Sequence, residues 1–195
     1  MPKLTNHSAT KTKTKNVQLK EAKYEALTIA KFLFSLDPKR EYFRGDKKIS
    51  TGAGFSNPLL GNWRLSQMLY LLQVFHYVKY GYFLFKDDLY AFDNGFFVYD
   101  AYRNFWALHD KAWFLNEAGN IQDKETKDFI RLLFNYFKNY SNKGLEEWYT
   151  NDPSWIDAWM ERKKEPKIEF DPKTLSFYDN FLDNHLHHIE HHVGS

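Results

Sequence analysis

The chain has 195 residues, 43% of them apolar and 27% charged, the proportions of a globular protein with roughly one domain's worth of core. It has no cysteine, which excludes a disulfide framework, a thiolate metal site and a cysteine nucleophile. A net charge of +2 is too small to make the whole chain a polyanion binder.

Rings make up 19% of the residues, with 18 Phe, 13 Tyr and 6 Trp, while Gly and Pro number only 9 and 6. Such a chain predicts long elements around a ring-rich core. Heavy use of Lys, Asn, Phe and Tyr also fits an AT-rich bacterial genome, so an aromatic residue is not functional merely by being there.

Residues 1–16 hold Lys3, Lys11, Lys13 and Lys15 and no acid. A chain of net +2 therefore leaves −2 for the remainder. The segment is polar and aperiodic and reads as a disordered basic tail, followed by a single helical domain over 17–193. The tail has no apolar stretch of the secretory kind. The longest greasy run, 68–75, is far short of the ~20 residues of a membrane span. The reading is a cytoplasmic protein with no membrane association.

The first helix is expected over 19–35, from apolar residues at three- and four-residue steps, and Asp37-Pro38 stops it. Residues 38–61 form a polar connection ending in breakers. Its Thr51-Gly52-Ala53-Gly54 lacks the downstream Gly-Lys-Ser/Thr of a phosphate loop and reads as surface turn.

The second helix is expected over 65–80. Asn62 is its cap, Leu65, Met68, Leu69, Leu72, Phe75 and His76 its apolar stripe, and Gly81 its left-handed end. His76 reads as a hydrogen-bonded core residue, since no acid is placed to pair with it. Residues 83–98 read as an extended piece with a turn, a small hairpin at most. Asp87, Asp88 and Asp93 are turn formers here rather than paired acid–base carboxylates.

Further helices are expected over 102–115, 125–139, 154–162 and 174–188. Asp123 caps one of them, and Asp152-Pro153 and Asp171-Pro172 start two others. Gly144 reads as a breaker. The fold class is mainly α, a multihelical domain of about six helices. Leu69, Leu72, Phe105, Leu133, Phe137, Trp155 and Leu182 are expected in the core.

The histidines of the C-terminal stretch share helical faces: His187 with His191, and His188 with His192. Each pair has the spacing to chelate a divalent metal, and Asp183 lies one turn before His187 in the first row. This supports an alternative reading, a metal-dependent enzyme. A further alternative is a weak nucleic-acid contact through the basic arm. The main reading calls for no cofactor and no catalysis.

The segment 93–102 places Phe96, Phe97, Tyr99 and Tyr102 beside the turn Asp93-Asn94-Gly95. Four rings in ten residues cannot all be buried on one side. These four are the candidate residues for binding a protein partner or a second copy of the chain.

The centre of the chain resembles the SocA-like antitoxin domain, also called Panacea and first met in phage-associated GepA proteins. Arg64-Leu65-Ser66-Gln67-Met68-Leu69-Tyr70 is similar to that family's leading helix, and Gly81 and Leu84-Phe85 follow in order. Ala91-Phe92-Asp93-Asn94-Gly95-Phe96-Phe97 resembles its turn, Tyr102 its next tyrosine and Pro153-Ser154-Trp155 its Pro-Trp element. Phe92 stands where the family has Trp, and Phe96 where it has proline. The resemblance implies a helical, non-enzymatic module that binds and neutralises a toxin, or acts as an adaptor to a protease system.

Overall fold

The computed structural model describes residues 21–39, 41–43, 60–93, 95–105, 119–160 and 166–182. Among them the chain forms helices α1 (Ala26–Leu36), α2 (Leu60–Tyr80) and α3 (Tyr99–Phe105), then α4 (Lys124–Phe137), α5 (Asn142–Thr150), α6 (Pro153–Met160) and α7 (Pro172–Phe181). A two-stranded antiparallel hairpin, β1 (Tyr90–Phe92) and β2 (Gly95–Phe97), lies between α2 and α3. The mainly helical expectation with one short hairpin holds.

Most helix starts follow from a short polar side chain that accepts a free N–H of the first turn. Asp123 accepts from the Thr126 N–H at 3.3 Å, Asp152 from Trp155 at 3.0 Å and Asp171 from Thr174 at 2.8 Å. Proline follows the last two caps directly, where its fixed φ and missing donor cost nothing.

Helix α1 starts differently. Residues 21–25 are not helical, and Tyr24 is bridged in parallel to Phe85, so the helix begins at Ala26 rather than 19. Its cap is remote: the Ala26 N–H donates to Asp87 Oδ2 at 2.7 Å, 61 residues away in sequence. Asp37 ends it as expected. Its carboxylate then accepts the N–H groups of Glu41, Tyr42 and Phe43 at 2.9, 3.0 and 2.9 Å, knotting the chain behind the helix.

Helix α2 is the centre of the fold and packs on α1, α3, α4, α7 and β2. It begins at Leu60, so Asn62 lies within the helix rather than at its cap. Instead of one apolar stripe, every residue from Leu65 to His76 is buried. Its polar side chains are satisfied where they sit. Gln73 accepts the N–H groups of Leu84 and Phe85 and donates to the Phe85 carbonyl at 2.8 Å, acting as a substitute strand. Gly81 closes the helix at φ +76, its N–H on the Tyr77 carbonyl at 2.8 Å.

Helix α5 was not expected. Ser141 caps it by accepting the Gly144 N–H at 3.1 Å, so Gly144 sits inside the first turn instead of ending a segment. Helix α3 begins at Tyr99, three residues before the expected start; the rest of 102–115 beyond Phe105 lies outside the described residues. So do the ends of the helices expected over 154–162 and 174–188.

Leu69, Leu72, Phe105, Leu133 and Phe137 are buried as expected. Trp155 and Leu182 are half-buried and pack against the core rather than within it. Trp155 stays at the rim because its indole N–H reaches two carbonyls of the hairpin, Phe92 and Gly95, each at 3.2 Å.

Candidate protein-docking face

The hairpin pairs Tyr90 with Phe97, Ala91 with Phe96 and Phe92 with Gly95. Successive strand side chains alternate between faces. Ala91, Phe96 and Val98 therefore turn inward, and all three are buried. Tyr90, Phe92, Phe97 and Tyr99 turn outward.

The inner face is fixed to the central helix. The Phe96 ring stacks on Tyr70 at 3° between ring planes, and it is only 2% exposed. Gly95, at φ +109, presses so closely on the Gln67 side-chain amide that a Cβ there would collide with it. Strand β1 is also held on its other edge, where Ala91 N–H donates to the Pro166 carbonyl and Ile168 N–H to that of Leu89.

Tyr70 reaches further inward. Its hydroxyl donates to Asp152 Oδ2 at 2.5 Å and lies 2.9 Å from the Ser154 hydroxyl. Tyr178 donates to the same carboxylate oxygen, Ser154 to the other at 2.7 Å. The fully buried Asp152 thus ties α2, α6 and α7 together beneath the hairpin. Burial pushes both tyrosine hydroxyls well above the usual phenol range, helped by Asp152 at Tyr70 and by Tyr70 and then Asp152 at Tyr178. Both hydroxyls donate to the Asp152 carboxylate, and the whole cluster is buried.

The outer face carries a run of rings in mutual edge contact. Tyr90 meets Tyr99 at 4.8 Å between centroids, Phe92 meets Phe97 at 4.9 Å, and Phe97 meets Tyr102 at 5.1 Å. Tyr99 is 40% exposed and Phe92 36%, while Phe97 and Tyr102 are half-buried. Of the four expected contact residues, Phe97, Tyr99 and Tyr102 lie on this face. Phe96 is a correction: it belongs to the core, because the pleat turns it onto Tyr70. Sequence reasoning missed Phe92 and Tyr90 as members of the outer row. The signal was there, since both share the two-residue period with Phe97 across the turn. Asn94, at the tip of that turn, lies outside the described residues.

The other expected features take structural places. His76 is buried, its Nδ1 2.8 Å from the Tyr82 carbonyl, and burial lowers its pKa. It is neutral at pH 7 and donates that bond through Nδ1–H. Asp87 caps α1, and Asp88 pairs with Lys167 at 2.7 Å. Among the described residues no three His, Asp or Glu side chains are grouped to hold a metal. His187, His188, His191 and His192 lie outside the described residues. No described helix is long and apolar enough to cross a membrane.

Comparison with family models, with curated proteins and with solved structures found no match for this chain.

Proposed function

We propose that the chain is a protein-interaction module of the SocA-like antitoxin kind, and that it recognises a partner protein through the outer face of its hairpin. The observation that carries this reading is the outer ring row. Large apolar side chains seldom stand exposed together on a surface that binds nothing. Here Phe92 and Tyr99 do so on a hairpin held rigid from behind by Tyr70, Gln67 and Trp155. Rigid aromatic anchors lose little entropy on binding and form the hot spots of many interfaces. The resemblance of 91–97 to the turn of the antitoxin family supports the reading, since the same residues form this hairpin.

The test is affinity purification from the native cell with the wild-type chain and with a Phe92→Ser/Tyr99→Ser variant. The wild type retains a stoichiometric protein partner, which a gene neighbouring its own should encode. The variant loses it while keeping the wild-type melting temperature. Retention of the same partner by the variant contradicts the reading.

A further inference from the structure

A groove of about 740 Å³ opens on a different face, between the C-terminal end of α2, residues 82–89 and residues 167–170. One wall is aromatic: Tyr77, Phe83 and Phe170 contact one another at 4.8 to 6.3 Å between centroids. Phe83 is 42% exposed, a large apolar side chain left at the rim. Among the described residues the charged part of the lining is Glu21, Asp87, Asp88 and Glu169 against Lys86 and Lys167.

Both lysines already face carboxylates, Lys167 with Asp88 at 2.7 Å and Lys86 with Glu25 at 3.4 Å. The groove therefore keeps a surplus of acid. Asp87 is also half-buried, and that burial raises its pKa although the Ala26 N–H bond opposes it.

The chain itself supplies a cationic ligand at the rim. Glu21 and Ala22 line the groove, and the twenty residues before them hold five lysines and no acid. Lys11, Lys13 and Lys15 alternate with Thr12 and Thr14. In extended backbone such a pattern puts all three ammonium groups on one side. Their aliphatic stems suit an aromatic wall, and their charges suit ring faces and carboxylates together. Lys15 stands six residues before Glu21, a reach of up to about 20 Å when extended. Tethering at that distance gives an effective concentration on the order of millimolar, so weak contacts suffice.

We propose that residues 1–20 dock back into this groove in extended form, lysines toward Asp87 and Glu169 and stems against Phe83 and Phe170. The basic arm is then an internal ligand rather than a nucleic-acid contact, and a basic segment of another protein would have to displace it.

The absence of cysteine makes the test direct. A nitroxide is attached to the single thiol of a full-length Lys13→Cys chain, and amide signals are followed by nuclear magnetic resonance. At low salt the signals of Phe83, Lys86 and Glu169 should lose roughly half their intensity, and recover near ~1 M salt, where screening is short-ranged. A second sample mixes labelled chain with unlabelled isotope-enriched chain and should show no loss. A Glu169→Lys variant should halve the effect without changing the fold, read from the unchanged signals of the hairpin. Broadening spread evenly over the surface, broadening that persists in the mixed sample (a second copy as occupant), or broadening indifferent to salt would each overturn the proposal.

Discussion

The ring of Phe96 lies parallel to that of Tyr70, with centroids 3.2 Å apart, so the inner face of the hairpin is built onto the central helix. The two faces of one short hairpin therefore have separate roles. Truncating a ring on the inner face should cost stability, and truncating one on the outer face should cost binding alone. Phe96→Ala should destabilise by about 3–5 kcal/mol, the usual cost of emptying a core phenylalanine site. Tyr99→Ala should stay within about 0.5 kcal/mol of wild type, as surface changes do. Urea denaturation of the two variants checks this, and equal losses would contradict the face assignment.

Asp152 is the second point on which the fold depends. It is buried, has no cationic partner among the described residues, and is held by Tyr70, Tyr178, Ser154 and the Trp155 N–H. Removing donors from a buried carboxylate leaves its charge poorly compensated. A Tyr70→Phe/Tyr178→Phe chain should lose about 3 kcal/mol or more. The loss should differ from the sum of the single variants by at least about 0.5 kcal/mol, because the hydroxyls share one oxygen. Additive losses in a double-mutant cycle would show that the hydroxyls act independently.

His76 predicts a pH dependence. Burial lowers its pKa, so the folded chain keeps it neutral where the unfolded chain binds a proton. The unfolded state then holds more protons below about pH 6.5, and stability falls as pH drops through that value. The urea midpoint should decrease between pH 7.5 and 5.5 in the wild type. In His76→Gln, which keeps a donor for the Tyr82 carbonyl, that decrease should shrink. An unchanged slope in the variant would assign the dependence to other groups.

The two glycines with positive φ make a paired comparison. Gly81, at φ +76, has open space around it, and Gly95, at φ +109, has the Gln67 amide against it. Gly81→Ala should cost about 1 kcal/mol for the backbone alone. Gly95→Ala should cost clearly more, since Gln67 is buried and has little room to give. Thermal melts of the two variants settle the order, and a milder Gly95→Ala would contradict the close packing of hairpin on helix.

Much of this architecture was legible from local chemistry. Asp123, Asp152 and Asp171 announce three helix starts because a short acceptor before a polar or proline first turn has few other uses. The hairpin was legible as an extended piece with a turn, but the side each ring takes was not. That depends on register, and a shift of one residue would have exposed Phe96 and buried Phe97. Two features had no local signal. The Ala26 cap comes from Asp87, far along the chain, and no window of sequence contains both. The four-donor cluster brings residues 70, 154, 155 and 178 to Asp152, and their meeting is a property of the packed helices. Helix α5 was missed because glycine was read as a breaker. The first turn of a helix tolerates it when Ser141 accepts its N–H.

A partner seated on the outer hairpin face would leave a mark in amide hydrogen exchange of the purified complex, compared with the free chain. Exchange should slow within residues 90–102 alone, strongest around Phe97 and Tyr99, with α4 and α5 unchanged. Protection elsewhere on the molecule, with 90–102 exchanging as fast as in the free chain, would contradict a partner seated there.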